Sequence, residues 1–230
     1  MPRVLLEVIV QTLADARAAA EGGADRLEVV RAIRRGGLTP PLSLVKAIAA
    51  EIYLPLRVMV RENSGYEADP REEGALQRAA AGVAFMGVDG LVAGFAKAGE
   101  LSLADLSVVL EAAPGVPLTF HRAFDALSDP LGAIDTLAGI PQIDGILTSG
   151  GEGTPMERCA RLRTYSARAG ARVAIMAGAG VDEEAFALFA RTGCVREIHV
   201  GRAARDGKNP EGPVTAASVR RLRDLADATP

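Results

Sequence analysis

The sequence predicts an α/β fold, a single-domain TIM-type (β/α)8 barrel over residues 1–230, with the last helix at about 215–226. Eight β-rich runs alternate with helix-like stretches, at intervals of roughly 22 to 33 residues, as parallel strands joined by helices require. The turn after the first run is Val10-Gln11-Thr12, which lacks the glycines that an open, doubly wound sheet would place there. No Pro-, Ser- or Gly-rich linker divides the chain, so we expect one domain.

The predicted strands are short apolar runs rich in β-branched residues, which is typical of strands that helices cover on the outside. They are Val4–Ile9, Arg26–Val29, Leu56–Val60, Gly90–Val92, Pro117–Phe120, Gly145–Leu147, Arg172–Ile175 and Glu197–Val200.

Most of the predicted helices begin with a capping residue that is followed by proline or an acidic residue in the first turn. The first, Leu13–Glu21, is rich in alanine and stops at Gly22-Gly23, a typical C-cap signal. The others are Leu42–Ile52, a helix from Asp69-Pro70 to about Met86, Ser102–Ala112, three helices opened by Asp129-Pro130, Thr154-Pro155 and Asp182-Glu183-Glu184, and a last helix at about Thr215–Ala226.

Composition excludes several classes of function. The net charge is −3, with 26 basic and 29 acidic residues interspersed, which argues against nucleic acid as a partner. No leader-like segment or membrane-spanning run is evident, and Cys159 and Cys194 have no motif spacing, so we expect a reduced, cytoplasmic protein with no membrane partner. The cysteines are expected to be structural. Whether the chain forms a homodimer is left open.

Polar side chains stand at the carboxyl ends of most predicted strands, where a barrel of this type places its ligand chemistry. Glu7, Glu28, His121 and Arg61 are the candidate catalytic residues, with a glutamate as general base or acid and His121 as proton donor or shuttle. Arg122 is a candidate for holding an anionic group, and Asp125 follows it in the same loop. Scattered polar caps without a ligand are the alternative interpretation.

Glu7 and Glu28 each lie inside an apolar run, where a carboxylate is costly unless it is paired. Among the cationic residues at the predicted strand ends, Arg61 is the nearest available partner in chain order, so we expect Glu7, Glu28, Arg61 and His121 to form one charge cluster around the barrel axis. A structural ion pair filling the barrel floor remains the other interpretation.

Glycine-rich turns follow the last three predicted strands, and glycine lets backbone N–H groups approach a ligand closely. Barrels often bind phosphate with the loops after strands seven and eight, so a small anionic or phosphorylated ligand is predicted here. Tight turns without a ligand are the alternative. The candidate ligand-binding residues of these turns are Thr148, Ser149, Gly150, Gly178, Gly180, His199 and Gly201.

Several strings together resemble the CutC copper homeostasis family. The resemblance extends from Leu5 to about His199 and implies a cytoplasmic TIM-type barrel that is assigned to copper homeostasis and binds copper, which would be its cofactor. The matching strings are Leu6-Glu7-Val8, Gly23-Ala24-Asp25-Arg26-Leu27-Glu28, Gly36-Gly37-Leu38-Thr39-Pro40, Arg61, Thr119-Phe120-His121-Arg122-Ala123-Phe124-Asp125, Leu147-Thr148-Ser149-Gly150, Met176-Ala177-Gly178-Ala179-Gly180-Val181 and Glu197-Ile198-His199.

The sequence departs from the family where copper ligands would be expected. Family members often carry cysteine where Ile9, Val10 and Val30 stand here, and a cysteine or serine near Val200. Cu(I) prefers thiolate and thioether ligands, and no metal motif occurs, so no metal ligands are predicted from the residues themselves. Three hypotheses therefore stand: a copper-handling protein, a barrel enzyme acting on a small anionic or phosphorylated compound, and a non-catalytic metabolite sensor.

Overall fold

A computed structural model describes residues 3–228 and has a closed barrel of eight parallel strands surrounded by eight α-helices within that range. The predicted fold class is confirmed. The barrel strands are β1 (Leu5–Val10), β2 (Arg26–Val29), β3 (Leu56–Met59), β4 (Gly90–Ala93), β5 (Leu118–Phe120), β6 (Ile143–Thr148), β7 (Ala174–Ala177) and β8 (Glu197–Val200).

The strands pair in the closed order β1-β8-β7-β6-β5-β4-β3-β2. The register of β1 is fixed on both sides, because Glu7 lies opposite His199 of β8 and opposite Arg26 of β2. This register brings three ionisable residues together on the inner face. The outer face buries apolar residues against the helices, such as Leu6 and Val8, which have no exposed surface.

The helices form the outer layer, and their caps explain most of their boundaries. They are α1 (Leu13–Gly22), α2 (Leu42–Ala49), α3 (Glu73–Phe85), α4 (Leu103–Ala112), α5 (Pro130–Ala138), α6 (Pro155–Ala169), α7 (Glu183–Thr192) and α8 (Ala216–Asp227).

The predicted capping residues Asp129, Thr154 and Asp182 each accept a backbone N–H of the first helical turn. Thr215, predicted as the approximate first residue of the last helix, caps that helix in the same way. Ser102 is different. It stands at the predicted start of α4, but its hydroxyl donates to the Asp105 carboxylate at 2.7 Å and does not cap the helix backbone.

Several predicted boundaries were wrong by a few residues. The helix α2 ends at Ala49, three residues before the predicted end, because the chain turns there into the loop before β3. The strand β7 begins at Ala174, two residues later than predicted. A short antiparallel hairpin, Ala96–Lys97 with Glu100–Leu101, follows β4 and was not predicted, because strands of two residues carry no alternation signal.

Short 3-10 helices follow three of the strands and build the rim of the barrel mouth. They span Ile33–Arg35 after β2, Arg122–Ala126 after β5 and Arg202–Ala204 after β8. Each carries one or two arginines to the carboxyl end of the barrel. No α-helix of the described residues has both the length and the apolar character that a membrane span would need.

Candidate functional site

A cavity of about 720 Å³ opens at the carboxyl ends of the strands. Its lining is rich in arginine, and Glu28 is the one carboxylate that lines it within residues 3–228. Such a surface favours anions, because the arginines of the lining outnumber its carboxylates. The lining residues are Ile9, Glu28, Ile33, Arg34, Arg35, Gly36, Met59, Arg61, Ser64, Tyr66, His121, Arg122, Leu147, Ala179, Gly180, Val181, His199, Gly201, Arg202 and Pro210.

A chain of hydrogen bonds and ion pairs leads from the cavity into the barrel interior. Glu28 Oε2 lies 3.6 Å from His199 Nε2, and His199 Nδ1 is 2.7 Å from Glu7 Oε1. The second oxygen of Glu7 accepts from Arg26 Nε, while Arg26 Nη2 donates to Glu197 Oε2 at 2.5 Å. His199 therefore lies between two buried glutamates, of which only Glu28 lines the cavity.

Although the two glutamates have the same chemistry, their environments move their pKa values in opposite directions. Burial raises the pKa of Glu28 to about 7, against the smaller opposing influence of His199. Burial also acts on Glu7, but the charge of Arg26 and the hydrogen bond from His199 outweigh it and lower the pKa of Glu7 to about 2. Glu7 is thus a fixed carboxylate, whereas Glu28 exchanges its proton near neutral pH.

His199 responds to its two carboxylate neighbours. Burial alone would lower its pKa, but the charges of Glu28 and Glu7 and the hydrogen bond to Glu7 together raise it. Because Glu7 fixes Nδ1, the other ring nitrogen is left to face Glu28. The arrangement suits proton exchange between His199 and Glu28.

His121 lies on the other side of the cavity and has a different state. Its Nδ1 accepts the backbone N–H of Ala123 at 3.1 Å, so the proton of the neutral ring is on Nε2. Burial, together with the charges of Arg61 and Arg122, lowers the pKa of His121 to about 3. The imidazole is therefore neutral at physiological pH, and it is held against Gly94, where a Cβ would lie 2.7 Å from Nδ1.

The expected pairing of Arg61 with the glutamates is wrong. Its guanidinium donates to three backbone carbonyls, of Gly36 at 3.2 Å, Ser64 at 2.6 Å and Gly65 at 3.2 Å, and lies 5.0 Å from the centre of the Tyr66 ring. Arg61 thus links two loops of the rim, the one that contains Gly36 and the one that contains Ser64 and Gly65. Arg26, which precedes Glu28 by two residues on the same strand face, makes the ion pair with Glu7 that we had expected of Arg61.

Gly36 shows how closely that loop approaches Arg61. Its φ is +85°, and a Cβ at this position would lie 2.9 Å from Arg61 Nη1. Glycine is required there both for the left-handed backbone and for the contact.

Four of the expected ligand-binding residues contact one another and do not line the cavity. Thr148 Oγ1 donates to the Asp125 carboxylate at 2.6 Å, the Ser149 N–H donates to the same carboxylate at 3.1 Å, and the Gly150 N–H donates to Thr148 Oγ1 at 3.0 Å. Asp125 thus joins the loops after β5 and β6. These groups satisfy each other within the protein.

The glycines after β7 and β8 behave differently from one another. Gly180 and Gly201 line the cavity, as expected. Gly178 does not, because its N–H donates to the Thr148 carbonyl at 2.9 Å and its carbonyl accepts from Arg158 at 3.2 Å. Arg158 also donates to the Ala179 carbonyl at 2.8 Å and so holds this loop in place.

Most of the arginines that line the cavity were not predicted from the sequence. Arg34 pairs with Glu211 at 2.7 Å and Arg122 with Asp125 at 3.1 Å, whereas Arg35 and Arg202 form no ion pair within the described part of the chain. Arg34, Arg35 and Arg202 lie on 3-10 helices of the rim, whereas the site residues were predicted from the carboxyl ends of the strands. The charge of these segments was the available signal.

The side chains that line the cavity do not form a ligand set for Cu(I). No group of three or more His, Cys, Asp or Glu residues with metal-binding geometry occurs within residues 3–228, and Met59 is the one sulfur-containing residue that lines the cavity in that range. Cys159 and Cys194 are buried elsewhere, in α6 and in the connection before β8, and burial raises the pKa of Cys194 to about 12. Thiolates are thus absent from the described cavity lining.

Comparisons with known proteins agree with this architecture. The sequence profile described as the CutC family matches residues 4–204. A CutC-named family protein of Caulobacter vibrioides is 39% identical over 199 residues, which is 86% of this chain and 80% of the relative. One of Histophilus somni is 34% identical over 197 residues, covering 85% of this chain and 81% of that protein.

A solved structure shows the same fold. The crystal structure of a Streptococcus agalactiae protein, described as a candidate copper homeostasis protein CutC, superposes with a TM-score of 0.78 at 23% identity. The match covers 85% of this chain and 97% of that one. With a family profile that spans most of the chain and relatives above 30% identity, the chain belongs to the CutC family.

Proposed function

We propose that this protein binds a small anionic metabolite in the barrel mouth and transfers a proton to or from it, with Glu28 as the general acid or base. The observation that carries the proposal is the composition of the cavity. Five arginines and one carboxyl group line it within the described residues, and that carboxyl group, on Glu28, has a pKa of about 7.

The cationic lining supports an anionic ligand. Arg35 and Arg202 line the cavity from separate rim segments, after β2 and after β8, and neither forms an ion pair with another residue in the described range. Guanidinium groups bind phosphate and carboxylate through two parallel hydrogen bonds, which gives them both affinity and orientation. Gly180 and Gly201 line the same cavity and would let a ligand approach the backbone.

The buried residues behind Glu28 support acid–base chemistry. A general acid or base works best when its pKa is near the working pH. Glu7, held as a carboxylate by Arg26, fixes the ring of His199, and His199 in turn contacts Glu28. Glu7 and His199 are thus positioning residues in this proposal, and Glu28 is the residue that meets the ligand.

The Streptococcus agalactiae relative is described as a candidate copper homeostasis protein, which raises the question of copper for this chain. We infer that any contribution of this chain to copper homeostasis proceeds without a Cu(I) centre in the cavity. The support is the donor set, which offers one thioether, on Met59, and no thiolate among the described lining residues. Calorimetry with Cu(I) tests this: binding tighter than roughly micromolar, near −8 kcal/mol, would contradict it.

The binding part of the proposal is tested by calorimetric titration with inorganic phosphate. The double variant Arg35→Gln/Arg202→Gln removes two cavity charges, and we expect the dissociation constant to rise by roughly tenfold or more, about 1.4 kcal/mol. The matched control is Arg78→Gln/Arg191→Gln, which makes the same charge change on exposed helical residues outside the cavity. Equal effects of the two double variants, or no phosphate binding at all, would overturn the proposed anion site.

Turnover of a bound compound distinguishes the proposed enzyme from a non-catalytic sensor that binds its ligand in the same cavity. If phosphate binds but Glu28→Gln has no effect on any reaction of a bound compound, the protein is a binding module. The acid–base part of the proposal would then be wrong, although the anion site would stand.

A further inference from the structure

Two unpartnered buried atoms on the wall of the cavity carry a more specific inference. Within the described residues, six buried side-chain nitrogen or oxygen atoms have no hydrogen-bond partner in the protein. Four are Nε atoms of arginines whose terminal nitrogens donate elsewhere. The other two are Glu28 Oε1 and His121 Nε2, and both residues line the same cavity.

Unpartnered buried polar groups are costly, so a pair of them in one cavity points to a ligand that supplies their partners. Glu28 is 2% exposed and His121 is 2% exposed, so neither is satisfied by bulk water. They lie on separate walls, because β2 and β5 are separated by β3 and β4 in the barrel order. A small molecule bound between them would contact an acceptor on one side and a donor on the other.

The donor on the His121 side is fixed by the protein backbone. Since a backbone N–H can only donate, the Ala123 N–H makes Nδ1 the acceptor and leaves the proton on Nε2. The ring is closely packed, with Tyr66 5.6 Å away between ring centres and Gly94 so near that a Cβ there would lie 2.7 Å from Nδ1. A rigid, neutral N–H donor of this kind suits an oxygen atom on which negative charge develops.

We propose that the ligand is an anionic carbonyl compound with an acidic C–H bond beside the carbonyl, that the Glu28 carboxylate removes that proton, and that His121 Nε2–H stabilises the enolate oxygen. This inference rests on the proposed function and names its substrate class. In the step, the C–H bond breaks, its electron pair forms the C=C bond, and the carbonyl π pair moves to oxygen.

The proton resides on Glu28 after this step. It returns to the same carbon, which exchanges the hydrogen with solvent. Where that carbon also carries a hydroxyl group, the intermediate is an enediolate: the proton can then go to the former carbonyl carbon, while the hydroxyl loses its proton to become the new carbonyl and the old carbonyl oxygen gains one, which isomerises the compound. No oxidant, reductant or further reactant is needed. The anionic group of the compound would be held by the rim arginines, among which Arg35 and Arg202 form no ion pair within residues 3–228.

The inference is tested by hydrogen–deuterium exchange in D2O, followed by proton NMR, with dihydroxyacetone phosphate and hydroxypyruvate as probes. We expect the wild-type protein to exchange the C–H hydrogens of at least one probe faster than buffer does. Glu28→Gln should slow this exchange by about 100-fold or more, the usual range for loss of a general base. Glu111→Gln, at an exposed helical site, should leave the rate unchanged.

Two variants at His121 separate its proposed role from a structural one. In His121→Asn, the side-chain oxygen can still cap the Ala123 N–H, but no donor reaches the position of Nε2, so the exchange rate should fall by about 100-fold. In His121→Gln, the amide N–H reaches roughly the position of Nε2, and much of the rate should return. Equal rates in the two variants would contradict the donor role of His121.

Phosphate titration of the same proteins distinguishes a failure of the carbonyl substrate class from a failure of the anion site. If phosphate binds but neither probe exchanges faster than in buffer, the carbonyl substrate class is wrong and the anion site stands. If phosphate does not bind the wild-type protein, the proposed function itself fails. Circular dichroism and the urea unfolding midpoint of His121→Asn verify that the variant is folded, so that a loss of exchange is not caused by unfolding.

Discussion

Removing the titratable group of Glu28 should increase stability at neutral and alkaline pH, and Glu28→Gln is the change that tests this. The pKa of Glu28 lies at about 7 in the folded chain, against an ordinary value of 4.5, because the carboxyl group is buried. The folded chain therefore holds this proton more tightly than the unfolded chain does. The stabilisation by this proton is complete below about pH 4.5 and is lost as the pH rises through about 7.

The magnitude follows from the difference between those two values. At about 1.4 kcal/mol for each pKa unit, it corresponds to about 3 kcal/mol of unfolding free energy. Glutamine has nearly the shape of a protonated glutamate and does not titrate, so the variant should resemble the wild type near pH 5. At pH 8 the variant should be more stable by about 3 kcal/mol, or roughly 6 to 12 °C in Tm for a chain of this size.

Urea unfolding at pH 5, 6, 7 and 8 measures the free energies. The exposed Glu111→Gln is the control, because it makes the same chemical change outside any buried environment, and its difference from wild type should not grow with pH. A difference between Glu28→Gln and wild type that stays constant within about 0.5 kcal/mol from pH 5 to 8 would refute the assigned titration of Glu28.

Three further outcomes are expected. Glu7→Gln should destabilise the fold by about 3–5 kcal/mol in urea unfolding, because it leaves the buried Arg26 with one fewer carboxylate partner, and an unchanged midpoint would contradict this. Gly94→Ala should cost about 1–3 kcal/mol and shift the NMR signals of the His121 ring, because the new Cβ would meet Nδ1 at 2.7 Å. Sulfate, which does not titrate in this range, should bind more weakly by calorimetry as the pH rises from 6 to 8, because Glu28 becomes charged, and Glu28→Gln should abolish that dependence.

Much of the fold could be predicted because each local signal agreed with the same architecture. Eight apolar runs and the capping residues Asp129, Thr154 and Asp182 indicated alternating strands and helices, and the barrel confirms them. Strand ends and rim segments were less predictable, since they depend on neighbours that are distant in the chain. The hairpin after β4 is an example, because its two-residue strands carry no pattern of their own.

The location of the candidate site could be predicted from the sequence, but most of its hydrogen bonds and ion pairs could not. The strand-end rule found Glu28, His121 and His199, all of which line the cavity. Assigning the nearest strand-end cation, Arg61, to the glutamates failed, because the barrel register places Arg26 of β2 directly opposite Glu7 of β1. Residues two positions apart on a strand face the same side of the sheet. Once Glu28 was placed inside the barrel, Arg26 could therefore have been assigned to the same inner face from the sequence alone.

The opposite pKa directions of Glu7 and Glu28 could not be predicted from the sequence. Both glutamates are flanked by apolar residues and both are buried, so composition and pattern treat them alike. The difference arises from Arg26, which bonds to one carboxylate and not to the other. That contact depends on the register between β1 and β2, and barrel closure adds the second partner of Glu7, His199 of β8.

A crystal structure of the protein soaked in phosphate tests the central claim, that the barrel mouth is an anion site, most directly. We predict an anion in the cavity, beside Gly180 and Gly201 and within hydrogen-bond distance of Arg202 or Arg35. The Arg35→Gln/Arg202→Gln variant, soaked in the same way, should show no anion there. Phosphate found in both proteins only at the opposite, amino-terminal face of the barrel would contradict the account.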